Sequence, residues 1–345
     1  MLNKKQMDEI REHLEAAQNP VFFFDNDPDG LCSFLLLRRY LGRGKGVAVR
    51  SFPDLTVDYF RKVHELEADY IFILDKPIVS KEFFDEVEEH NIPVVWIDHH
   101  ELQEVPEFVN YYNPLSTSDE NEPVTYLCYK LSEKKEDAWI AVIGCIFDKF
   151  VPDFYPEFEK NYPDLGVKYD DAFDIFYRAP IGKIAKIFSF GLKDRTTNVV
   201  NMLRFLTELK TPYEVLEETS RNFSMHNRFN QINEKYQKLM EKAISVGKAS
   251  GKILYFQYGG DLSISGDLAN ELNYRFPEKI IVVVYLSGIK ANISARGKDV
   301  RDLILKAIEG LEDSTGGGHN DAVGAKIRVE DVEEFRERLT GINKL

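Results

Sequence analysis

Residues 21–30 read Val-Phe-Phe-Phe-Asp-Asn-Asp-Pro-Asp-Gly, and this pattern is the strongest indication of the fold. An apolar run of strand length stops in three carboxylates at alternate positions, Asp25, Asp27 and Asp29. Three like charges this close repel one another at neutral pH unless a cation lies among them. A helix N-cap followed by a tight turn would use one such side chain but does not need three. The stretch therefore predicts a buried strand that ends at a divalent-metal site.

Two further apolar runs end in residues of the same chemical type. Val-Val-Trp-Ile at 94–97 is followed by Asp98, His99 and His100, and another run ends in Asp75. Considered alone, the Asp-His-His triplet could be a solvated strand end, and Asp75 could cap a following helix. In a parallel sheet, however, the carboxyl ends of the strands lie at one edge, where ligands bind. Together the runs favour metal-dependent hydrolysis.

The first half of the chain alternates strand-like and helix-like segments, which predicts a parallel sheet flanked by helices. The predicted strands are 20–25, 46–52, 69–75 and 93–98, and the predicted helices are 5–17, 29–42, 55–67, 79–90, 123–133 and 136–149. Residues 150–212 are interpreted as a helical excursion and 213–246 as a long connecting helix. The pattern is typical of an α/β fold.

After Gly247 the pattern changes to that of a smaller α+β domain. The predicted strands there are 252–257, 280–286, 289–296 and 323–329, and the predicted helices are 265–276, 299–309 and 330–340. The predicted domains are therefore 1–212, which includes the excursion, and 247–345, joined by the connecting helix.

The composition describes an ordinary globular protein, with 345 residues, 43% of them hydrophobic and 30% charged. No apolar stretch reaches membrane-spanning length and the N-terminus lacks a signal-peptide core, so we expect a cytoplasmic protein without membrane contact. The net charge of −14 excludes a strongly basic nucleic-acid coat. It permits a local basic groove, a phosphate site whose positive charge comes from metals, and a protein partner.

Five motifs in order resemble those of the DHH phosphoesterases. Residues 25–30 are similar to the first motif in the form found in RecJ-type nucleases, and residues 98–100 match the signature that names the family. Asp75, then Asp148 four residues after Gly144, and a Gly-Gly-Gly-His stretch at 316–319 complete the series. The sequence thus resembles an archaeal RecJ-like exonuclease with a C-terminal DHH-associated domain.

The resemblance implies two Mn²⁺ ions, with Mg²⁺ as an alternative, that share a bridging carboxylate. The implied ligands are Asp25, Asp27 and Asp75 for one ion, and Asp29, Asp75, His99 and Asp148 for the other. Carboxylates with one imidazole suit Mn²⁺ better than thiolate-preferring metals. Two ions about 3.5–4 Å apart lower the pKa of bound water and stabilise both the attacking and the leaving oxygen. Asp148 alone would be read as a solvated helical side chain.

Three further residues are implied in catalysis. Asp98 would orient ligand groups through hydrogen bonds, and His100 would face the phosphate as donor or acid. Lys76 stands where many relatives have a small residue, and it would contact phosphate or pair with a ligand carboxylate. The chain keeps the family's Asn113-Pro114 but lacks the arginine that often follows.

The C-terminal motif is the predicted grip on the substrate phosphate. Gly316, Gly317 and Gly318 would let backbone N–H groups converge as an anion nest, and His319 would add a donor. Arg296 matches the position of a phosphate-binding arginine on a neighbouring strand. The alternative is a flexible loop that carries a stray histidine.

The expected function is a Mn²⁺-dependent exonuclease on single-stranded DNA or RNA, with 3′→5′ polarity favoured and a role in DNA repair. A phosphodiesterase acting on short oligonucleotides or cyclic dinucleotides uses the same metals and stays open. So does an inactive scaffold with a degraded metal site. The expected partners are single-stranded nucleic acid and a replication or repair helicase. The sequence does not separate DNA from RNA and does not give the oligomeric state.

Overall fold

The computed structural model describes residues 1–51, 53–118 and 121–342. The chain divides after Asn230 into two compact units. Its elements confirm the predicted fold class, an α/β unit with a parallel sheet followed by a smaller unit with a mixed sheet. No helix in these described ranges is long and apolar enough to cross a membrane.

The first unit contains one five-stranded sheet and one two-stranded sheet. Its strands are β1 (Pro20–Asp25), β2 (Lys45–Val49), β3 (Asp54–Leu55), β4 (Tyr70–Leu74), β5 (Ile78–Val79), β6 (Val94–Ile97) and β7 (Val109–Tyr112). Its helices are α1 (Lys4–Ala16), α2 (Pro28–Leu41), α3 (Arg61–Glu65), α4 (Lys81–Glu89), α5 (Val124–Ser132), α6 (Ala138–Phe147), α7 (Tyr155–Asn161), α8 (Ala172–Arg178), α9 (Ile181–Leu192), α10 (Thr196–Glu208) and α11 (Tyr213–Leu216).

The five-stranded sheet is parallel, in the order β2-β1-β4-β6-β7. Its central strands are apolar throughout because both of their faces are covered. Phe22 of β1 stacks on Phe72 of β4 with ring centroids 5.0 Å apart, and Phe23 meets Phe83 of α4 edge to face. These ring contacts join strand β1 to strand β4 and to helix α4 in the core.

The register of the central strands determines where their carboxyl ends fall. Phe24 pairs with Leu74, and Leu74 pairs with Ile97. The residue that follows each of these is an aspartate: Asp25, Asp75 and Asp98. The three aspartates therefore lie at the same edge of the sheet.

Several predicted elements of the first unit differ in the structure. The predicted helix 55–67 is a 3₁₀ turn at Val57–Tyr59 followed by the short α3. Strands β3 and β5 were not predicted, because two residues give no recognisable pattern, and strand β7 was not predicted either. Strand β2 ends at Val49, and the last residue of its predicted range, 52, lies outside the described residues.

The second unit contains a mixed five-stranded sheet in the order β11-β12-β10-β9-β8. Its strands are β8 (Ile253–Gly259), β9 (Ile280–Ser287), β10 (Lys290–Arg296), β11 (Thr315–His319) and β12 (Ala322–Arg328), and its helices are α13 (Ser265–Arg275), α14 (Val300–Ile308) and α15 (Val332–Ile342). Strands β10 and β12 alternate buried and outward positions, β9 is buried from Ile281 to Tyr285, and the three strands close one core with α14 and α15. Strand β11 is an unpredicted addition, since consecutive glycines carry no strand signal.

The predicted connecting helix, 213–246, is two helices in the structure. Helix α11 is a single turn, and the long helix α12 (Phe223–Ala249) begins ten residues later than predicted. Between them, Asn222 donates to the carbonyls of Glu214 and Glu217, and its Oδ1 accepts from the N–H of Thr219. These side-chain bonds to the backbone compete with helix hydrogen bonds and make the break.

Candidate metal centre

The structure brings the predicted acidic and imidazole residues of the first unit together at the carboxyl edge of the sheet. Their ligand atoms form three groups, each within 4.8 Å: Asp25, Asp27 and Asp75; Asp29, His99 and Asp148; and Asp75, His99 and His100. The groups overlap, because Asp75 and His99 each belong to two of them. This overlap is the arrangement that two adjacent cations need.

The start of helix α2 holds the first motif against strand β1. Asp27 caps the helix, since its side chain accepts the N–H of Gly30 at 3.0 Å. A Cβ on residue 30 would lie 2.5 Å from the carbonyl oxygen of Asp25. Only glycine allows this close approach of helix and strand. The turn therefore keeps the three motif carboxylates on one small surface.

Asp29 is anchored by the N-terminus of helix α5. Its two carboxylate oxygens accept the backbone N–H groups of Val124 at 3.0 Å and Thr125 at 2.9 Å. The Thr125 hydroxyl also donates to the Asp29 carbonyl at 2.8 Å. A carboxylate at a helix N-terminus gains from the unpaired N–H groups and the helix dipole. Asp29 is thus fully buried in a fixed orientation.

Helix α6 delivers Asp148 to the centre through close contact with α5. A Cβ on Gly144 would lie 2.2 Å from the Oγ1 of Thr125, so glycine is required where the two helices meet. The helix ends at Asp148, whose N–H donates to the carbonyl of Gly144. The Oδ2 of Asp148 lies 3.2 Å from the Nε2 of His99. Gly144 therefore sets the position of a carboxylate one helical turn away.

Asp75 occupies the middle of the centre in an unusual backbone conformation. Its φ angle is +58°, in the left-handed region that non-glycine residues seldom adopt. Its Oδ1 is buried, lies 3.3 Å from the Nε2 of His99, and has no hydrogen-bond partner in the described part of the chain. A buried carboxylate oxygen without a donor is costly. A metal ion would supply the missing interaction.

Asp98 positions His100 and is not one of the clustered ligand groups. The Oδ1 of this fully buried side chain lies 2.8 Å from the Nδ1 of His100, and its Oδ2 accepts the N–H of His100 at 3.1 Å. Asn113 donates to the carbonyl of His100 at 2.9 Å and lies 3.4 Å from the same Oδ2. His100 would therefore act on a substrate through Nε2.

Lys76 follows Asp75 and is fully buried. Its ammonium donates to the Oδ1 of Asp25 at 2.8 Å and to the carbonyl of Ser51 at 3.0 Å. Its own carbonyl accepts the indole N–H of Trp96 at 3.0 Å. The lysine is thus an internal cation of the cluster.

The electrostatics of the cluster favour a bound cation. Burial, followed by the charges of Asp25 and Asp148, raises the pKa of Asp27 to about 7. Burial and the neighbouring carboxylates also raise the pKa values of Asp29 and Asp75 well above their ordinary range. Carboxylates in this condition hold protons unless a metal replaces them. Oxygen ligands with imidazole fit Mn²⁺ or Mg²⁺, so the residues present suit a divalent metal.

Burial lowers the pKa of His100, but the hydrogen bond and charge of Asp98 outweigh it, helped by Asp148 and Asp25. The net pKa of His100 is raised above its ordinary value. The imidazole is therefore held closer to its protonated, proton-donating form.

The predicted phosphate-binding residues lie in the second unit, where strand pairing groups them. Arg296 of β10 and His319 of β11 both pair with Ala322 of the strand between them. The Nε of Arg296 donates to the Oδ1 of Asn270 at 2.6 Å, which fixes the guanidinium. The sheet thus brings an arginine and a histidine onto neighbouring strands.

Gly316, Gly317 and Gly318 lie in edge strand β11, where the sequence suggested a loop. Successive N–H groups point in opposite directions along a strand, so the expected convergent nest does not form. A Cβ on Gly318, where φ is +131°, would lie 2.4 Å from the carbonyl of Ala322. That glycine allows the close turn between β11 and β12.

Sequence reasoning missed three contributors to the centre. Thr125 anchors Asp29, Ser51 accepts from Lys76, and Trp96 fixes the backbone of Lys76. The only available signal was Pro123, which marks the start of helix α5. Contacts made by backbone atoms across 20 or more residues leave no local pattern.

Comparison with family models identifies the class of protein. A model of the DHH family, N-terminal domain, matches residues 21–146, and a model of the DHHA1 domain matches residues 249–344. Together these ranges cover more than half of the chain. The chain therefore belongs to the DHH family, the metal-dependent phosphoesterases that the sequence motifs resembled, and it carries a C-terminal DHHA1 domain.

Solved structures share the fold. RecJ in complex with Mn²⁺ from Thermus thermophilus matches 98% of this chain with a TM-score of 0.68 and 16% identity, and the match spans 54% of that longer chain. An exonuclease RecJ bound to manganese matches 97% of this chain and 92% of its own, with a TM-score of 0.64 and 17% identity. The pGpG-specific phosphodiesterase PggH from Vibrio cholerae matches 95% and 99%, with a TM-score of 0.51 and 14% identity. Comparison with curated proteins gives no match.

Proposed function

We propose that this protein is a Mn²⁺-dependent exonuclease that hydrolyses phosphodiester bonds in single-stranded DNA or RNA. The observation that carries the proposal is the set of three overlapping ligand groups, linked through Asp75 and His99. Two adjacent cations are characteristic of enzymes that displace an oxygen at phosphorus. The likeness in fold to RecJ supports a nucleic-acid substrate.

Two ions would be held by the carboxyl edge of the sheet. Asp25, Asp27 and Asp75 would hold one, and Asp29, His99 and Asp148, with Asp75 shared, the other. Bound there, the metals would activate water at neutral pH and neutralise charge on the phosphate. One of these ligands, Asp29, is fixed before binding by the hydrogen bonds it accepts from helix α5. Such preorganisation avoids rearranging charged groups during the reaction.

His100 would donate a proton or a hydrogen bond to a phosphate oxygen through Nε2. Asp98 holds Nδ1 and stabilises the imidazolium, which is the orientation and protonation state this role needs. Asn113 holds the His100 backbone in place. We therefore assign Asp98 and Asn113 as positioning residues.

The second unit would bind a phosphate of the strand. The guanidinium of Arg296 presents planar donors suited to phosphate. His319 lies on strand β11, and Ala322 of strand β12 pairs with both Arg296 and His319. Gly316, Gly317 and Gly318 keep side chains away from this edge. We propose 3′→5′ polarity, as the resemblance to archaeal RecJ-like exonucleases implies, and a replication or repair helicase as the protein partner.

A second candidate is a phosphodiesterase on short oligonucleotides or dinucleotides, which the likeness in fold to PggH favours. It would use the same metals and differ only in the length of strand accepted. An inactive scaffold is disfavoured because every motif ligand is present.

The test is degradation of 5′-labelled and 3′-labelled single-stranded DNA and RNA oligomers in Mn²⁺. We expect a ladder in the wild type, its loss in Asp75→Ala, and its retention in Asp85→Ala, which removes an exposed carboxylate from helix α4. A ladder from the 5′-labelled strand, with immediate release of the 3′ label, would indicate 3′→5′ polarity. The reverse pattern would indicate 5′→3′ polarity. Turnover of dinucleotides without strand cleavage would support the second candidate. No turnover of either substrate would refute both.

A further inference from the structure

Lys76 distinguishes the two halves of the candidate metal centre. Lysine is seldom fully buried unless it is paired, and here the ammonium is fixed by Asp25 and by the carbonyl of Ser51. The indole N–H of Trp96 holds the lysine backbone. Three separate parts of the chain, at Asp25, Ser51 and Trp96, thus hold this one buried lysine.

Burial and bonding make Lys76 a poor candidate for contact with substrate. Its side chain has no exposed surface, and its ammonium donates to two fixed protein oxygens. A lysine that grips phosphate needs its ammonium at the surface of the site. The charge therefore acts on the ligands beside it.

The positive charge of Lys76 acts on one of the two ligand groups more than on the other. Asp25 belongs to the group with Asp27 and Asp75, and its Oδ1 is already bonded to the ammonium. In the group formed by Asp29, His99 and Asp148, the described structure shows no lysine or arginine ion pair to either carboxylate. A cation bound by the first group would be repelled at short range, and one bound by the second group much less so.

We propose that Lys76 makes metal loading stepwise, with a tight ion at Asp29, His99 and Asp148 and a weaker, exchangeable ion at Asp25 and Asp27. The proposal rests on the metal centre of the proposed function and deepens it. In the absence of the second ion, the ammonium takes over part of the charge balance at Asp25. Once the tight site is filled, the activity would change with the free Mn²⁺ concentration only through the occupancy of the weaker site.

The experiment is a Mn²⁺ titration of chelator-stripped full-length protein, followed by the electron paramagnetic resonance signal of unbound Mn²⁺ at fixed pH and ionic strength. For the wild type we expect two dissociation constants that differ on the order of tenfold or more. For Lys76→Met, which keeps an unbranched side chain one atom shorter and removes the charge, we expect the weaker constant to tighten on the order of tenfold. Lys76→Arg keeps the charge and should keep two separated steps.

Lys149→Met is the matched control. Lys149 follows Asp148 directly, as Lys76 follows Asp75, but it is exposed, so its charge is screened. Its removal should leave both constants unchanged. Thermal unfolding of each variant checks that it is folded.

Equal binding of two ions by the wild type would overturn the stepwise proposal and leave the proposed function intact. An unchanged weak constant in Lys76→Met would overturn it as well. If Lys76→Met does not fold, the wild-type titration alone decides. No Mn²⁺ binding by the wild type would overturn the metal centre itself.

Discussion

Gly144→Ala tests whether the packing of two helices controls the metal centre. The added Cβ would lie 2.2 Å from the Oγ1 of Thr125 and 2.8 Å from its Cβ, distances that require one helix to move. Overpacking of this kind costs about 1–3 kcal/mol. Thr125 also holds Asp29 through its N–H and hydroxyl. The substitution should therefore destabilise the fold and weaken metal binding together.

The assay pairs urea denaturation of the metal-free protein with Mn²⁺ binding to the folded protein. We expect a loss of about 1–3 kcal/mol in the free energy of unfolding and on the order of tenfold or greater loss of affinity. Gly251→Ala is the control, because a Cβ there meets nothing within 4 Å. Wild-type stability and affinity in Gly144→Ala would refute the argument that helix contact positions Asp29.

Three further predictions follow from the charges and hydrogen bonds. Because the folded pKa values of Asp27 and Asp75 are raised above their unfolded values, the metal-free protein should gain the full contribution of these two carboxyls to its stability only below about pH 4. The metal-free protein should lose stability as the pH rises through about 7 for Asp27, and added Mn²⁺ should stabilise the protein more at pH 8 than at pH 5. Melting temperatures across pH would check both expectations. A melting temperature of the metal-free protein that does not change with pH would contradict them. Asp98→Asn should lower kcat about 10²–10⁴-fold. It should also move the alkaline limb of the pH–rate profile to lower pH, because Asp98 raises the pKa of His100. An alkaline limb that does not move would count against the pairing of Asp98 with His100. Arg296→Ala should raise KM for single strands more than it lowers kcat, and steady-state kinetics showing the reverse would remove the arginine from phosphate binding.

The sequence was sufficient for the parts of the fold that depend on local pattern. The apolar runs that end in Asp25, Asp75 and Asp98 gave the central strands nearly to the residue, because buried parallel strands are continuously hydrophobic. The register Phe24, Leu74 and Ile97 then follows from the sheet itself. The cluster could be anticipated because these strands carry their ligands at their ends.

Other features depend on long-range contacts and gave no signal. Edge strand β11 is made of glycines, and its strand conformation comes from pairing with β12. The anchoring of Asp29 by helix α5 joins its carboxylate to backbone N–H groups that lie 95 and 96 residues further along the chain. Lys76 was recognisable as a departure from the family, but its burial and its bond to Asp25 required the three-dimensional structure.

The most direct test of the central claim is a crystal structure of the protein with Mn²⁺, with anomalous data collected at the manganese edge. We expect two peaks at the carboxyl edge of the first sheet, with Asp75 as the shared ligand and Asp98 outside both coordination spheres. Soaking at low Mn²⁺ should leave only the peak beside Asp29, His99 and Asp148. Anomalous peaks that avoid these residues, or none at saturating Mn²⁺, would contradict the account.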